Sequence, residues 1–366
     1  MRKTAYGLLA AALVLAAYLA FWPVPVQPVA WSAPPAPGYQ GAHAANTRLA
    51  GLRLIRLPQG ESGPEHVVLG RDGKLYAAMA SGRILRMNAD GSESEVYADT
   101  GGRVLGFDFD AGGRLIAADA VKGLLAIGPD RRVTVLADQV DGDPIRYADA
   151  VVVAKNGKIY LSDASGRFAP ARWGGTFEAA VLDIIEQRVT GRILEYDPAT
   201  GKIRVVVRGL SFPNGVALSP DEQHLYVAET GRYRIWKVAV DAAELEAGSA
   251  SPQARVLLDN LPGYPDNLMR GAEGRIWVGL SGPRSAKVDD MAGKPLLRAL
   301  TLRLPRALWP LPVPYGHVFA FDDAGRVVAD LQDPAGSYPQ TTGVTETADR
   351  LYIQNLHLGV LGWQPR

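Results

Sequence analysis

From Leu52 onward, the chain alternates short apolar runs with turns that contain glycine. The runs DGKLYAA, GGRLIAA and NGKIYLS each begin with a dipeptide (Asp-Gly, Gly-Gly or Asn-Gly) that is typical of a tight turn between two strands. The runs EQHLYVA, EGRIWVG and ADRLYIQ continue the pattern, which brings the number of repeats to six. The pattern therefore predicts many short strands joined by hairpin turns.

The six repeats align on one apolar residue in each run. These markers are Leu75, Leu115, Ile159, Leu225, Ile276 and Leu351. Their spacings of 40, 44, 66, 51 and 75 residues fit units of about 40 residues with insertions, the period of propeller blades. We predict an all-β fold, a six-bladed β-propeller over residues 51–366, in which the strand Leu52–Leu57 pairs with the last blade and closes the ring.

Two stretches exceed the repeat length and predict helical insertions. The first contains a helix capped by Thr176, whose apolar face consists of Phe177, Val181 and Ile184. The second, residues 284–316, predicts a basic amphipathic segment. Its apolar side consists of Leu296, Leu297, Leu300 and Leu304, and its basic side carries Arg298 and Arg303. Both insertions are expected to cover the propeller; alternatively, the second contacts a lipid surface or forms a lid over the site.

The N-terminus differs from the rest of the chain. Arg2 and Lys3 precede Tyr6–Trp22, which is 17 residues without a charge. The run lacks the small residues of a cleavage site, so we expect residues 1–22 to form an uncleaved membrane anchor rather than a cleaved signal peptide or a buried helix. The positive charges place the N-terminus in the cytoplasm and the propeller on the periplasmic or extracytoplasmic side. Residues 23–50, rich in Pro and Ala, predict a semi-stiff tether.

The overall composition excludes several classes of function. A net charge of +1 argues against nucleic-acid binding, which needs a concentrated basic face. The absence of cysteine excludes disulfides, thiolate nucleophiles and zinc bound by cysteine. There is no G-x-S-x-G or H-E-x-x-H motif, and the sequence Gly279-Leu-Ser281-Gly282 is interpreted as a turn.

One position, ten or eleven residues before each marker, carries the candidate chemistry. It is occupied by Glu65, Leu105, Asp149, Asn214, Asp266 and Thr341. Equivalent positions of propeller blades converge at the axis, and several carboxylates cannot share a buried funnel unless they are protonated or neutralised by a cation. Oxygen ligands favour a hard divalent metal, Ca²⁺ first and Mg²⁺ or Mn²⁺ next. The alternative is that each residue only caps a turn.

Neighbouring residues give further expectations. Asn267 is a candidate for the outer shell of the metal site or for the pocket wall. His66 is expected to pack inside the wall, and His357 to lie at the surface or face the funnel. An apolar pocket is expected from Phe107, Phe212 and Trp173.

The repeats resemble the SMP-30/gluconolactonase and strictosidine synthase-like six-bladed propellers, a family that includes the paraoxonases and diisopropylfluorophosphatase-type enzymes. The stretches LSFPNGVALSPDEQHLYVAET and LPGYPDNLMRGAEGRIWVGL carry the resemblance most specifically, and GRVLGFDFDAGGRLIAADAVKGLL and VTETADRLYI support it. The chain is most similar to the membrane-anchored adipocyte plasma membrane-associated protein type. The resemblance covers roughly residues 50–364.

The resemblance implies roles for the same four residues. The metal-binding Glu of the family matches Glu65, its central Asn matches Asn214, and its fifth-blade Asp matches Asp266. The family's third-blade ligand is usually Asn, whereas YADAV places Asp149 there and adds a charge. Asp266 matches the proposed general base of the lactonases and the proposed nucleophile of the phosphotriesterases. The segment SYPQTTGV lacks the catalytic Glu of strictosidine synthase, so alkaloid condensation is not expected.

These observations favour a membrane-tethered, metal-dependent hydrolase of a small-molecule lactone or aryl ester. In this hypothesis the metal, Ca²⁺ first, acts as a Lewis acid and Asp266 acts as base or nucleophile. The alternative is a non-catalytic propeller in which the ion is structural and the top face binds a ligand or a protein partner, because one fold hosts many functions.

Overall fold

The computed structural model describes residues 2–311 and 313–366. Six sheets of four or five strands form a six-bladed β-propeller, as predicted. The first strands of successive blades contact one another around the ring and form its inner wall. One further two-stranded hairpin projects from the third blade region.

The strands of the first half of the ring follow the repeats in order. They are β1 (Arg53–Arg56), β2 (His66–Leu69), β3 (Leu75–Ala78), β4 (Arg83–Met87), β5 (Glu95–Asp99), β6 (Val104–Phe109), β7 (Leu115–Asp119), β8 (Gly123–Ile127), β9 (Val133–Ala137), β10 (Gln139–Val140), β11 (Asp143–Pro144), β12 (Ala148–Val153), β13 (Ile159–Asp163), β14 (Gly191–Asp197) and β15 (Lys202–Leu210). Blade 1 is β2–β5, blade 2 is β6–β9, and blade 3 is β12–β15.

The second half contains the remaining three blades. Its strands are β16 (Pro213–Leu218), β17 (His224–Glu229), β18 (Arg234–Ala239), β19 (Leu245–Glu246), β20 (Ala254–Leu258), β21 (Gly263–Arg270), β22 (Ile276–Pro283), β23 (Gly316–Phe321), β24 (Val327–Asp333), β25 (Thr341–Glu346), β26 (Arg350–Asn355) and β27 (Val360–Pro365). Blade 4 is β16–β18 with β20, blade 5 is β21–β24, and blade 6 is β25–β27 with β1. The short strand β19 adds to the edge of blade 3 in parallel.

The ring is closed by its two ends. Strand β1 pairs antiparallel with β27, and Ile55 lies opposite Leu361. This pairing confirms the predicted closure, because the strand from the start of the propeller supplies the outermost strand of the last blade.

The sequence markers coincide with the second strand of every blade, which confirms the repeats. The register of blade 6 differs from the prediction by one residue. In each blade the marker on the second strand pairs with a residue of the inner strand, and the candidate position lies four residues before that paired residue. In blade 6 the marker Leu351 pairs with Glu346. The equivalent residue is therefore Thr342 and not Thr341, because four residues separate the paired Glu346 and Leu351, against five or six in the other blades.

Close approach of neighbouring inner strands requires glycine at specific points. A Cβ atom on Gly215 of β16 would lie 2.4 Å from the backbone oxygen of Asp266 and from the backbone nitrogen of Leu268 in β21. A Cβ atom on Gly106 of β6 would lie 2.9 Å from the backbone of Asp149 and Ala150. These glycines allow adjacent blades to pack backbone against backbone beside the axis.

The first insertion contains helix α2 (Thr176–Glu186). Thr176 is the first helical residue and not the cap: Gly175 precedes the helix with a positive φ, and no side chain caps it. Asp183 is buried on the propeller side of α2 and accepts a hydrogen bond from the Ser165 hydroxyl at 2.5 Å. The helix is therefore fixed to blade 3 through a buried carboxyl group.

The second insertion contains α3 (Ala286–Asp290) and α4 (Pro295–Thr301). The buried and exposed side chains of α4 are the reverse of the expectation. Arg298 is buried and donates hydrogen bonds to the carbonyl oxygens of Ile185 (2.9 Å), Ala292 (3.1 Å) and Val29. Leu296, in contrast, is 85% exposed.

The N-terminal helix α1 (Arg2–Phe21) has no buried residue and is long and apolar enough to span a membrane. The segment that follows lies along the propeller rather than standing free of it. Val26 and Leu49 are buried in core clusters. His43 and His317 both lie within hydrogen-bond distance of one carboxylate oxygen of Asp330, at 2.7 and 2.8 Å.

A Gly215→Ala variant tests the contact between blades 4 and 5. We expect a loss of about 1–3 kcal/mol in the free energy of unfolding, because the new methyl group overlaps the backbone of β21. The control is Gly112→Ala, where the added Cβ would meet only the Asp110 side chain at 3.4 Å. Denaturant melts that show equal stability for the two variants would contradict this account of the interface.

The pH dependence of stability tests the role of Asp183. Burial, together with nearby Glu186, raises the pKa of Asp183 to about 8, although the Ser165 hydroxyl opposes the shift. The unfolded chain releases this proton near the ordinary pKa of aspartate, so stability contributed by this group falls as the pH rises from about 4 to 8, by at most ~1.4 kcal/mol per pH unit. Asp183→Asn should flatten that slope in thermal melts, whereas the exposed-site control Asp138→Asn should not.

Candidate functional site

The residues predicted for the metal site line one cavity at the axis of the ring. Glu65, Asp149, Asn214 and Asp266 lie on the wall of a cavity of about 230 Å³. Each comes from a different blade, at the start of the inner strand or just before it. The sequence positions that are far apart along the chain are therefore brought together by the ring.

The local backbone aims these side chains at the axis. In β12, β16 and β21 the pairing with the next strand is shifted around Asp149, Asn214 and Asp266. Such a bulge places two residues opposite one and redirects a side chain, and bulges are common beside functional sites.

The four side chains are buried, and three carry an unpaired oxygen. Glu65, Asp149, Asn214 and Asp266 are 6%, 2%, 5% and 4% exposed. One side-chain oxygen (Oδ1) of each of Asp149, Asn214 and Asp266 has no hydrogen-bond partner among the described residues. Buried polar atoms are nearly always paired, so three unpaired oxygens on one cavity wall indicate a missing positive partner.

The electrostatics of the cavity point in the same direction. Burial, followed by the charges of Glu65 and Asp266, raises the pKa of Asp149 well above its usual range. Burial and the charge of Glu65 do the same to the pKa of Asp266, while nearby Ser281 and Asn214 act in the opposite direction. Without a cation, these carboxyl groups hold protons that a bound cation would displace. The donor set, three carboxylates and an amide oxygen, fits a hard divalent ion.

Glu65 has a positive partner that sequence analysis did not identify. Arg103, just before β6, forms an ion pair with the Glu65 carboxylate and donates hydrogen bonds to the carbonyl oxygens of Met79 and Val104. Burial raises the pKa of Glu65 and the Arg103 charge opposes the increase. Glu65 is thus held toward Arg103. The ligand atoms of Glu65, Asp149 and Asp266 do not all lie within 4.8 Å of one another.

Across residues 2–311 and 313–366, His43, His317 and Asp330 form the one group of three metal-type ligands that meets this distance criterion. It lies outside the cavity: His317 belongs to β23, Asp330 to β24 and His43 to the N-terminal segment. Asp330 also accepts hydrogen bonds from Asn46 and Gln332. Burial favours a higher pKa for Asp330, but the hydrogen bonds from His317 and His43 hold this pKa below its usual range. Hydrogen bonding therefore accounts for the cluster, which fastens the N-terminal segment to blade 5.

Asn267 does not line the cavity and acts on the backbone behind it. Its amide nitrogen donates to the carbonyl oxygen of Glu65 at 2.8 Å, and the Thr342 hydroxyl donates to the same oxygen at 2.7 Å. Blades 5 and 6 therefore both fix the backbone of Glu65 in blade 1. This contact places Asn267 behind the candidate ligands, where it orients one of them.

The two insertions form an apolar roof over the cavity. Phe177, Val181 and Ile184 of α2 line it, as do Trp309 and Leu311 from the second insertion. The predicted apolar face of α2 is therefore directed at the cavity. The roof encloses the polar floor and limits its contact with water.

The structure also gives the positions of the aromatic and histidine residues expected near the cavity. Phe212 lines the cavity, whereas Phe107 and Trp173 pack in hydrophobic clusters beside it. His357 lies on the cavity wall, with its ring 5.7 Å from that of Phe177. His66 is buried in the wall and contacts the carbonyl oxygen of Phe107 at 2.9 Å, and burial lowers its pKa to about 4.

Two further cavity residues were missed. Ser281 belongs to β22 and not to a turn, and it faces the cavity. Tyr147, just before β12, also lines the cavity, and its hydroxyl donates to the carbonyl oxygen of Thr176 at 2.9 Å. Tyr147 and Asp149 are separated by two positions, the spacing at which strand residues share a face, and this was the available signal.

Comparison with known proteins agrees with the fold. Residues 63–302 match the family described as "SMP-30/Gluconolactonase/LRE-like region". The chain is 34% identical over 275 residues to the protein strictosidine synthase-like 7 of Arabidopsis thaliana, covering 73% of this chain and 68% of that protein. It is 28% identical over 337 residues to the adipocyte plasma membrane-associated protein of Rattus norvegicus, with 85% of each chain covered.

Solved structures share the fold at lower sequence identity. A gluconolactonase from Xanthomonas campestris superposes with a TM-score of 0.62 at 20% identity, over 93% of this chain and 98% of that one. The calcium-binding protein regucalcin from Agrobacterium tumefaciens superposes with a TM-score of 0.53 at 17% identity, over 87% and 92% of the two chains. The family match and the propeller agree, and the chain belongs to the SMP-30/gluconolactonase/LRE-like family, with strictosidine synthase-like and adipocyte plasma membrane-associated proteins among its relatives.

Proposed function

We propose that this protein is a membrane-anchored, cation-dependent hydrolase of lactones or aryl esters and that the axial cavity is its active site. The observation that carries the proposal is the set of unpaired, buried oxygens of Asp149, Asn214 and Asp266 on one cavity wall. The family match to gluconolactonases supports the reaction class.

The residues that would hold the cation are Glu65, Asp149, Asn214 and Asp266. They offer only oxygen ligands, which favours Ca²⁺, and a structural neighbour of this chain is described as a calcium-binding protein. When bound, a Ca²⁺ ion would polarise the substrate carbonyl group and lower the pKa of a coordinated water molecule. Arg103 balances one negative charge of the site by its ion pair with Glu65.

In this proposal Asp266 performs the proton transfer or the attack. As a general base, its carboxylate takes a proton from water while the water oxygen bonds to the acyl carbon, and the proton then passes to the leaving alkoxide or phenoxide. As a nucleophile, it attacks the acyl carbon, breaks the bond to the alkoxide or phenoxide and forms a mixed anhydride. Water then cleaves the anhydride, which regenerates the Asp266 carboxylate and releases the acid, and a proton from that water passes to the expelled oxygen. The position of Asp266 on the cavity wall, with one free oxygen, serves either route.

The roof supports a substrate with an apolar part. Phe177, Trp309 and Phe212 surround the space above the carboxylates, and they would bind a ring or acyl chain and exclude water from the reacting group. Gln340 lies on the wall immediately before β25, where a condensing enzyme of the strictosidine synthase type would present a carboxylate. Condensation is therefore not proposed.

Membrane attachment is proposed from α1. The helix is apolar and unburied, and the relatives include proteins named as plasma membrane-associated. Arg2 and Lys3 before the helix favour a cytoplasmic N-terminus, with the propeller on the opposite side of the membrane.

Hydrolysis of phenyl acetate and a panel of lactones, with and without EDTA, tests the reaction. We expect turnover that EDTA abolishes and Ca²⁺ restores. At Ca²⁺ concentrations that saturate each variant, Asp266→Asn should lose about 10²- to 10⁴-fold in kcat, the range of a catalytic base. Asp149→Asn should mainly weaken Ca²⁺ binding, and the exposed-site variant Asp138→Asn should match the unaltered chain.

Thermal melting separates ion binding from catalysis. At 100 times its dissociation constant, Ca²⁺ should stabilise the unaltered protein by about 2.7 kcal/mol, and less in Asp149→Asn. Stabilisation by Ca²⁺ without turnover of any substrate would favour a non-catalytic propeller with a structural ion. If Ca²⁺ produced no stabilisation and the protein showed no turnover, the metal site would be refuted.

Membrane attachment can be measured in a Gram-negative host. We expect the full chain to stay in the membrane pellet after a carbonate wash and to keep residues 1–22, and we expect external protease to digest the propeller in spheroplasts. Leu13→Arg should reduce the membrane fraction, because a charge at mid-span costs about 2.5–3.5 kcal/mol. A soluble product that lacks residues 1–22 would contradict the anchor.

A further inference from the structure

The second insertion contacts the end of the membrane anchor. We define the insertion here as residues 284–311. Arg303 donates hydrogen bonds to the carbonyl oxygens of Trp22, at 2.7 Å, and Leu19, at 3.1 Å. The last carbonyl groups of a helix lack partners within the helix, and a cation is favourable beside them. The insertion is thus fixed at the point where α1 ends.

The outer surface of the insertion is apolar. Leu296 is 85% exposed, Leu297 44% and Leu308 63%. At the end of α1, where Arg303 contacts the helix, Phe21 is 83% and Trp22 is 57% exposed. Soluble proteins rarely leave large apolar side chains clustered at the surface unless something covers them.

A lipid surface over α4 would explain why its leucines are exposed and its arginine is buried. Arg298, the basic residue at the centre of the helix, is buried and hydrogen-bonded to three carbonyl oxygens, so its charge is withdrawn from the surface that carries the leucines. The same segment carries the exposed cations Lys287 and Lys294, whereas Arg306 is paired with Glu178 and Arg303 with the end of α1. A segment with exposed apolar side chains and exposed cations matches the interface of a bilayer that contains anionic lipids.

The same insertion reaches the cavity. Trp309 and Leu311 line the roof, immediately after exposed Leu308. The wall of the cavity mouth and the exposed apolar surface are therefore parts of one continuous segment. A molecule that left the bilayer at this segment would meet the cavity first.

We propose that the insertion lies in the membrane surface beside the anchor and that the cavity receives amphiphilic lactones or esters directly from the bilayer. The contact with α1 identifies the membrane as the occupant of this surface, because the anchor brings the bilayer to the same place. The substrate class rests on the proposed hydrolase function, whereas the membrane contact does not.

Fluorescent labels test the membrane contact. The chain has no cysteine, so single-cysteine variants carry one label each. The test variants are Leu296→Cys and Leu308→Cys. The matched control is Leu69→Cys, which is 41% exposed at the end of β2 that points away from the cavity. The full chain is placed in nanodiscs of phosphatidylcholine and phosphatidylglycerol that contain a nitroxide lipid quencher.

We expect at least twofold quenching of the labels at positions 296 and 308 and no quenching at 69. Equal quenching at all three positions, or none at 296 and 308, would overturn the membrane contact. This result does not depend on whether the protein is an enzyme.

Kinetics then test the route of the substrate. The double variant Leu296→Asp/Leu308→Asp is compared with Leu69→Asp. We expect the variant to hydrolyse water-soluble phenyl acetate as the unaltered chain does, while its KM for a long-chain lactone held in vesicles rises about tenfold, since two apolar contacts with lipid are lost. An unchanged KM for the vesicle-bound lactone would overturn the route. Absence of all turnover in the unaltered chain would refute the hydrolase function and leave the labelling result intact.

Discussion

The burial of negative charge at the axis of the ring is the constraint on which the site depends. Asp149 and Asp266 share a cavity with Glu65, and burial with mutual repulsion drives their pKa values upward. Arg103 neutralises part of this charge: it forms an ion pair with Glu65, and its charge also opposes the rise in the pKa of Asp149. The two aspartates keep unpaired oxygens, so the arrangement is most stable with protons or with a cation bound. Buried carboxyl groups with unpaired oxygens destabilise the fold, and such locally unfavourable arrangements are typical of functional sites.

The ring supports that cluster by packing its inner strands at backbone distance. Gly215 lets β16 contact the backbone of Asp266, and Gly106 lets β6 contact that of Asp149. Asn267 and Thr342 hold the carbonyl group of Glu65 from two other blades. Three of the four candidate ligands, Glu65, Asp149 and Asp266, therefore have backbones that contact a blade other than their own. Ring closure by β1 and β27 is consequently a requirement of the site as well as of the fold.

The fold was predictable because strand period and turn chemistry repeat six times, and the four candidate ligands followed from that register. The errors have local physical causes. A turn shorter by one residue moved the blade 6 position from Thr341 to Thr342. Arg103 was not found because its partner, Glu65, is distant in sequence and only the ring brings them together. The prediction for α4 placed Arg298 on the polar face opposite the leucines, whereas Arg298 is buried and finds three carbonyl acceptors. These acceptors are backbone carbonyl groups, two of them far away in the sequence, so the pattern of side chains in α4 could not predict them.

The N-terminal segment changes how the anchor acts. A free tether of residues 23–50 would let the propeller adopt any orientation relative to the bilayer. Instead, buried Val26 and Leu49, and the hydrogen bonds of His43 to Asp330, fasten the segment along the ring. Arg303 fixes the end of α1 to the insertion that roofs the cavity. An anchor joined in this way specifies an orientation as well as a location. If α1 spans a membrane, as proposed, the contacts that stabilise the roof also hold the cavity mouth, on the side where α1 ends, toward that membrane.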